Sequence, residues 1–178
     1  RPPKTVGDEF IFFPSSGDPA FASPEEMQVA IDYTRKFSDR TFLIQTKNPE
    51  CFLPYKFPEN VLLGITLETD LRLYHTPSLF TMYRRISKAP IPIQRTNDFA
   101  DVKHKRKMVT IEPVLDFKLN ILKAWIYRIN PEIVYIGYDN HNCNLPEPPL
   151  AKTKLLIKEL RKFTTVRVKT LRRAWWQI

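Results

Sequence analysis

The chain has 178 residues, 43% hydrophobic and 12% aromatic, which excludes a disordered or fibrous polymer and is enough for one domain over residues 1–178. A formal net charge of +9 favours an anionic partner, nucleic acid or a phosphate-bearing ligand, without requiring one. No apolar run is long enough to span a membrane, no signal peptide is visible, and two cysteines are too few for a disulfide framework or a metal cage, so both read as reduced thiols of a cytoplasmic protein.

Residues 1–8 are polar and proline-containing, an entry arm. Glu9-Phe-Ile-Phe-Phe13 is a short strand that ends in the turn cluster Pro14-Ser-Ser-Gly-Asp-Pro19. Ser23-Pro24-Glu25-Glu26 then starts a helix with a serine N-cap, proline at N1 and glutamate at N3, and Met27, Ile31, Thr34 and Phe37 keep its period. Strands follow at 41–47, closed by Asn48-Pro49, and at 60–68. A longer connection carries a helix over 78–88 and a proline-rich, then basic loop over 89–107. Met108-Val-Thr-Ile111 is a fourth strand, apolar or β-branched as if covered on both faces, and it runs straight into Glu112-Pro113. Leu119, Leu122, Ile126 and Ile129 make the next helix, which Asn130-Pro131 stops before a strand at 133–137. After a polar, proline-rich loop over 139–149 come a basic amphipathic helix at 151–162 and a last strand at 165–169.

Strands alternating with helices imply βαβ units, a parallel sheet, and right-handed crossovers that put every strand's C-terminus on one rim. The fold class is therefore α/β, either a partial TIM-type (β/α) barrel of about six strands or an open doubly wound sheet. No glycine-rich phosphate loop follows the first strand, and the chain has only 4 glycines, which favours the barrel.

The rim so defined gathers Ser15, Ser16, Gly17 and Asp18, then Gln45 and Lys47, Thr66 and Glu68, Glu112, Asp139 and Asn140, and Lys169 and Arg172. Opposed charges converging on one concave face can bind a zwitterion or an anion and tune one another's protonation. A polar residue at a strand end is also simply near water, so the set carries more weight than any member. His104-Lys-Arg-Lys107 and Arg84-Arg85 are cationic runs able to meet phosphates, or else to coat a solvated face. His75, His104 and His141 lack ligand spacing, so no metal site is expected, and catalytic residues are not assigned. Cys143 lies in a polar loop as either a reactive or an inert thiol, and Trp125, Trp175 and Trp176 read as packing residues.

Several stretches resemble the radical SAM superfamily, most closely an uncharacterised branch found in phages, bacteria and archaea. They are Phe12-Phe-Pro-Ser-Ser-Gly-Asp-Pro19, Gln45-Thr-Lys-Asn-Pro49, Asn60-Val-Leu-Leu-Gly-Ile-Thr-Leu-Glu68, Thr110-Ile-Glu-Pro-Val-Leu-Asp116, Ile136-Gly-Tyr-Asp-Asn140 and Lys169-Thr-Leu-Arg172. The resemblance spans about residues 9–173; each motif is short, and their order and spacing make it specific. It implies a parallel partial barrel in which a [4Fe–4S] cluster on three cysteines binds and reduces S-adenosylmethionine, releasing a deoxyadenosyl radical that attacks the substrate. On that resemblance Ser16, Gly17 and Asp18 hold the methionine amino group. Thr66 and Glu68 bind the carboxylate or ribose, and Gln45, Lys47, Glu112, Asp139, Asn140, Lys169 and Arg172 face substrate or cofactor.

The chain departs from the family in having no three-cysteine motif, and Cys51 and Cys143 cannot replace it. Either the first βα unit with its cluster loop precedes Arg1, or this is a homologue without redox chemistry, and in either case the chain as written should not cleave the cofactor. The start at Arg1 rather than methionine favours the first alternative. From a different class, a cluster-free nucleic-acid-binding domain would use the loop around His104 and the Arg172-Arg173 end. A metal-free barrel hydrolase or lyase using Glu112 and Lys169 has no motif behind it. Substrate, product and oligomeric state are not written in these residues.

Overall fold

The computed structural model describes residues 1–15, 17–70, 81, 84 and 87–177. Six strands, β1 (Ile11–Phe12), β2 (Phe42–Thr46), β3 (Val61–Thr66), β4 (Lys107–Ile111), β5 (Ile133–Ile136) and β6 (Thr165–Val168), form one sheet in sequential order. All five pairings are parallel. The sheet curls into half a barrel, so the partial parallel (β/α) barrel is the architecture and the open doubly wound sheet is not.

The two faces of the sheet follow from the period of two. Ile44, Val61, Leu63, Ile65, Val109, Ile111, Val134 and Ile136 point to the helices and join the larger core with Phe99, Leu122, Ile126, Leu156 and Leu160. The alternate positions Leu43, Leu62, Met108 and Ile133 form a smaller cluster with Phe10 and Tyr135 on the side without helices. That helix-free side is the concave one, as in complete barrels.

The curl brings opposite edges together. Asp8, just ahead of β1, pairs with Arg167 on β6, and Phe10 meets the ring of Tyr135 on β5 edge-on at 6.2 Å. The entry arm thus lies along the open side of the half-barrel. It is tied to the strand below by Arg40 Nε donating to the Pro2 carbonyl (2.9 Å) and Thr41 N donating to Thr5 Oγ1 (2.9 Å).

Among the described residues, the helices that pack on the convex face are α1 (Pro24–Arg35), α2 (Pro92–Asp101), α3 (Leu119–Ile129) and α4 (Leu150–Leu160). The capping box at the start of α1 is formed as expected, with Glu26 N donating to Ser23 Oγ (3.2 Å) and Ser23 N donating to Glu26 Oε2 (2.8 Å). Asn130 ends α3 in the left-handed conformation, φ 53°. Helix α2 corrects the reading of 89–107 as loop. Proline at N1 begins helices as readily as it ends them, and the buried stripe of α2 includes Arg95 and Thr96 beside Phe99, so hydrophobicity shows no period there. The helix expected over 78–88 falls on a stretch of which only residues 81, 84, 87 and 88 are described.

Candidate functional site: the mouth of the half-barrel

At the C-terminal ends of the strands the concave face changes from apolar to polar. The inward positions here are Gln45 on β2, Thr66 on β3, Thr110 on β4, and Glu112 and Lys169 just beyond β4 and β6. They line a cleft of about 280 Å³ that also touches Phe12, Leu43, Met108 and Tyr135. Gln45 Nε2 donates to Thr66 Oγ1 (3.0 Å) and reaches Thr110 Oγ1 at 3.5 Å, so one amide spans three strands. Glu112 Oε2 accepts from Lys169 Nζ at 2.6 Å. The carboxylate is largely covered, its side chain 18% exposed, whereas the ammonium side is 51% exposed and faces water.

Gly137 makes this pair possible. A Cβ there would lie 2.8 Å from Glu112 Oε1 and 3.3 Å from Lys169 Cβ, so any side chain would displace the carboxylate. Gly64 is similarly confined, with Gln45 Cγ 3.2 Å and Leu43 Cδ1 3.0 Å from the place of a Cβ.

A second polar network lies on the rim above β2 and β3. Glu68, 4% exposed, accepts from Lys47 Nζ at 2.5 Å and from Arg95 at 2.9 Å. Arg95 has no exposed surface and also donates to the carbonyls of Thr66 (2.8 Å) and Pro90 (2.6 Å), so it locks α2 onto the end of β3. Asp18 accepts from Ala20 N (2.9 Å), Lys47 N (3.0 Å) and the Thr46 hydroxyl, which ties the loop after β1 to the end of β2. Ser16 is outside the described residues.

The third group closes the β5 and β6 ends. Arg172 forms a two-pronged pair with Glu147 at 2.8 and 2.6 Å, and its guanidinium sits 5.2 Å from the centre of the Tyr138 ring. It also donates to the Asp139 carbonyl at 2.8 Å. Asp139 accepts from the amides of His141 (3.1 Å) and Cys143 (2.6 Å). Desolvation pushes its carboxyl up, but these amide bonds outweigh that and hold it below the ordinary carboxylate value. Asn140 Oδ1 accepts from Thr170 Oγ1 at 2.6 Å.

Of the rim residues named from sequence, Gln45, Thr66, Glu112 and Lys169 share the cleft. Asp18, Lys47 and Glu68 gather in the second network, and Asp139, Asn140 and Arg172 in the third. Sequence reasoning missed Thr110, Gly137, Arg95 and Glu147. Thr110 was within reach, standing two residues before Glu112 and so on the same face of the strand. Gly137 had a signal too, a glycine at the tip of a buried strand in a glycine-poor chain.

The basic run at 104–107 is drawn into the fold. His104 Nε2 bonds the Val61 carbonyl at 2.7 Å, and Arg106 pairs with both oxygens of Glu132 at 3.2 and 2.9 Å. Lys107 is buried, its ammonium donating to the Phe99 and Ala100 carbonyls at the end of α2 (2.7 and 3.3 Å). Arg84 is exposed, and Arg85 is outside the described residues. Burial of Cys51 and the nearby Asp18 carboxylate push that thiol up to about 12. Among the described residues no group of three or more His, Cys, Asp or Glu side chains could hold a metal ion. No helix among them is long and apolar enough to cross a membrane.

A partial parallel barrel with a charged cleft at its strand C-termini is the class that fold and cleft define. No family model matches the chain, and no curated protein and no solved structure matches it.

Proposed function

We propose that the chain is the cofactor- and substrate-facing part of a radical SAM-like enzyme that binds S-adenosylmethionine on the concave face at the strand C-termini. The observation that carries this reading is the Glu112–Lys169 pair, 2.6 Å apart at the mouth of the helix-free side. Parallel α/β folds place their ligands at this end of the strands. The ligand carries an ammonium, a carboxylate, a sulfonium and ribose hydroxyls. Glu112 offers the anion for a cationic group, Lys169 the cation for the carboxylate, and Gln45, Thr66 and Thr110 offer neutral hydrogen bonds for hydroxyls. The residues therefore fit the cofactor.

The assignment of the amino group to Asp18 fits less well, because three donors of this chain already occupy that carboxylate. Glu68 is likewise engaged by Lys47 and Arg95. The proposed contacts therefore centre on Thr66, Gln45, Thr110, Glu112 and Lys169. When bound, the cofactor would supply a sulfonium carbon–sulfur bond that cleaves on one-electron reduction. The chain's own residues hold and orient it: the covered Glu112 fixes one charge, and the apolar floor of Leu43, Met108 and Tyr135 excludes water from below.

The residues do not fit a [4Fe–4S] cluster. Cys51 is partly buried with a raised pKa, Cys143 is an exposed residue of another loop, and a cluster needs several thiolates at one place. No cleavage step is assigned to this chain. Equilibrium dialysis with labelled S-adenosylmethionine tests the reading. Saturable binding weakened about tenfold or more by Glu112→Gln is expected, since a charge-assisted hydrogen bond is lost. Absence of saturable binding, or unchanged affinity in E112Q and K169M, would overturn it.

A further inference from the structure

Beyond the cleft, the segment after β6 ends in two adjacent tryptophans that pack unlike core residues. Trp175 and Trp176 are 52% and 46% exposed, yet both are fixed. Trp175 Nε1 donates to the Leu145 carbonyl at 2.7 Å, and Trp176 Nε1 donates to the Glu147 carbonyl at 3.0 Å. The backbone between and around them is pinned as well. Trp175 N donates to Glu147 Oε2 (3.1 Å), and Ala174 beside it is buried. The Gln177 side-chain oxygen accepts from Ala174 N (3.3 Å) and Leu150 N (3.0 Å). With the single polar atom of each indole used inside the fold, the surface left uncovered is carbon and π-face. Rings held this way need no further ordering to be stacked upon.

The exposed charge next to them in the chain is that of Arg173. Across residues 139–147 and 169–177 the only acids are Asp139 and Glu147. Both are buried and taken up by internal donors, Glu147 by Arg172 and Trp175 N, Asp139 by two amides. In the same stretches Lys169 is paired with Glu112 in the cleft, Arg173 is exposed, and Arg172 buttresses the loop through Glu147. A polyanion carrying flat rings suits this surface. A neutral sugar does not use the Arg173 charge, and the acids that would bind its hydroxyls face inward.

We infer that Trp175 and Trp176 form a base-stacking surface for single-stranded nucleic acid, with Arg173 reaching a phosphate. Unpaired bases present the faces that a duplex hides, and stacking on aromatics beside cations is how such strands are held without sequence reading. The surface replaces the 104–107 run as the place for nucleic acid, because His104, Arg106 and Lys107 are engaged within the fold. It stands independently of cofactor binding, since its residues lie outside the cleft.

The chain has 3 tryptophans, so Trp125→Phe leaves emission from the two surface rings alone. Titration of W125F with a short oligothymidylate at low salt is expected to quench that emission saturably. Trp175→Ala and Trp176→Ala should each weaken binding about tenfold or more, while Trp175→Phe, which keeps a stacking face, stays within about threefold of W125F. Arg173→Ala should lower the salt slope of binding by about one. Circular dichroism melts of each variant separate lost binding from lost fold, and the W125F titration decides even where a truncation fails to fold. No quenching, affinity unmoved by both folded truncations, or equal quenching by duplex DNA or a neutral oligosaccharide would overturn the inference.

Discussion

Glu112 and Lys169 meet at 2.6 Å because Gly137, between them in the sheet, has no side chain. The carboxylate occupies the space that a Cβ would need, so the charge pair and the glycine are one device. Gly137→Ala is expected to push Glu112 aside and weaken S-adenosylmethionine binding as much as E112Q does. The strain should cost about 1–3 kcal/mol in a urea melt, the range for overfilling a packed site. Full affinity in a folded G137A would mean that Glu112 does not touch the ligand.

Glu68 lies between a fully buried arginine and a half-exposed lysine. Glu68→Ala leaves the Arg95 guanidinium buried without its carboxylate, and removing one partner of a buried pair typically costs about 3–5 kcal/mol. Replacing both, as in Glu68→Leu with Arg95→Leu, should cost less than the sum of the two single changes. Urea unfolding of the four proteins in the cycle measures the coupling, and strict additivity would show that the pair contributes nothing of its own.

Lys107 gives the fold a pH dependence of known sign. Desolvation by burial is the main cause that brings it from its ordinary 10.5 down to about 8. Below about pH 8 the lysine is protonated in both folded and unfolded chains, and above 10.5 in neither. Between these values only the unfolded chain holds the proton, so the Lys107 contribution to stability rises with pH across that window. Lys107→Met should remove this rise, seen in melts at several pH values as wild-type stability climbing relative to the mutant between about pH 8 and 10.5.

Arg172 supports the tryptophan-bearing end by its two-pronged bond to Glu147 and by its place over Tyr138. Arg172→Lys keeps the charge but loses the fork and the flat stacking surface. A loss of about 1–3 kcal/mol is expected, from the cost of leaving Glu147 partly unpaired. Looser indoles should accompany it, read as greater acrylamide quenching in a W125F background.

The two thiols should separate cleanly. Cys143 is exposed, whereas Cys51 is partly buried with its thiol pushed up to about 12. An aromatic disulfide reagent at neutral pH is expected to titrate one thiol in the folded protein and the second only after denaturation. Cys143→Ser should abolish the first reaction.

Much of the architecture was legible because parallel strands covered on both faces read as continuous apolar runs, and because Ser23-Pro24-Glu25-Glu26 spells a capping box. The rim was legible as a list of strand ends, but not as groups. Which acid meets which base depends on register, and on helices such as α2, whose buried stripe of Arg95, Thr96 and Phe99 has no apolar period. Lys107 shows the same limit. A lysine in a basic run looks solvated, yet its position on β4 turns it inward to end a helix. Trp175 and Trp176 erred in the opposite direction, since large aromatics are usually buried and here about half of each residue stays exposed while its indole N–H bonds a loop carbonyl.

The contact between Asp8 and Arg167 joins residues 159 apart in the chain. Contacts of such long range slow folding, because the intervening loop must be ordered before the contact repays it. Strands β2 to β6 can each pair with the preceding strand as they appear, and the entry arm can meet Arg40, Thr41 and Tyr135 earlier, but its ion pair with Arg167 waits for β6. The two edges of the half-barrel would therefore stay unjoined until β6 is in place, with Asp8 and Arg167 among the last residues to meet.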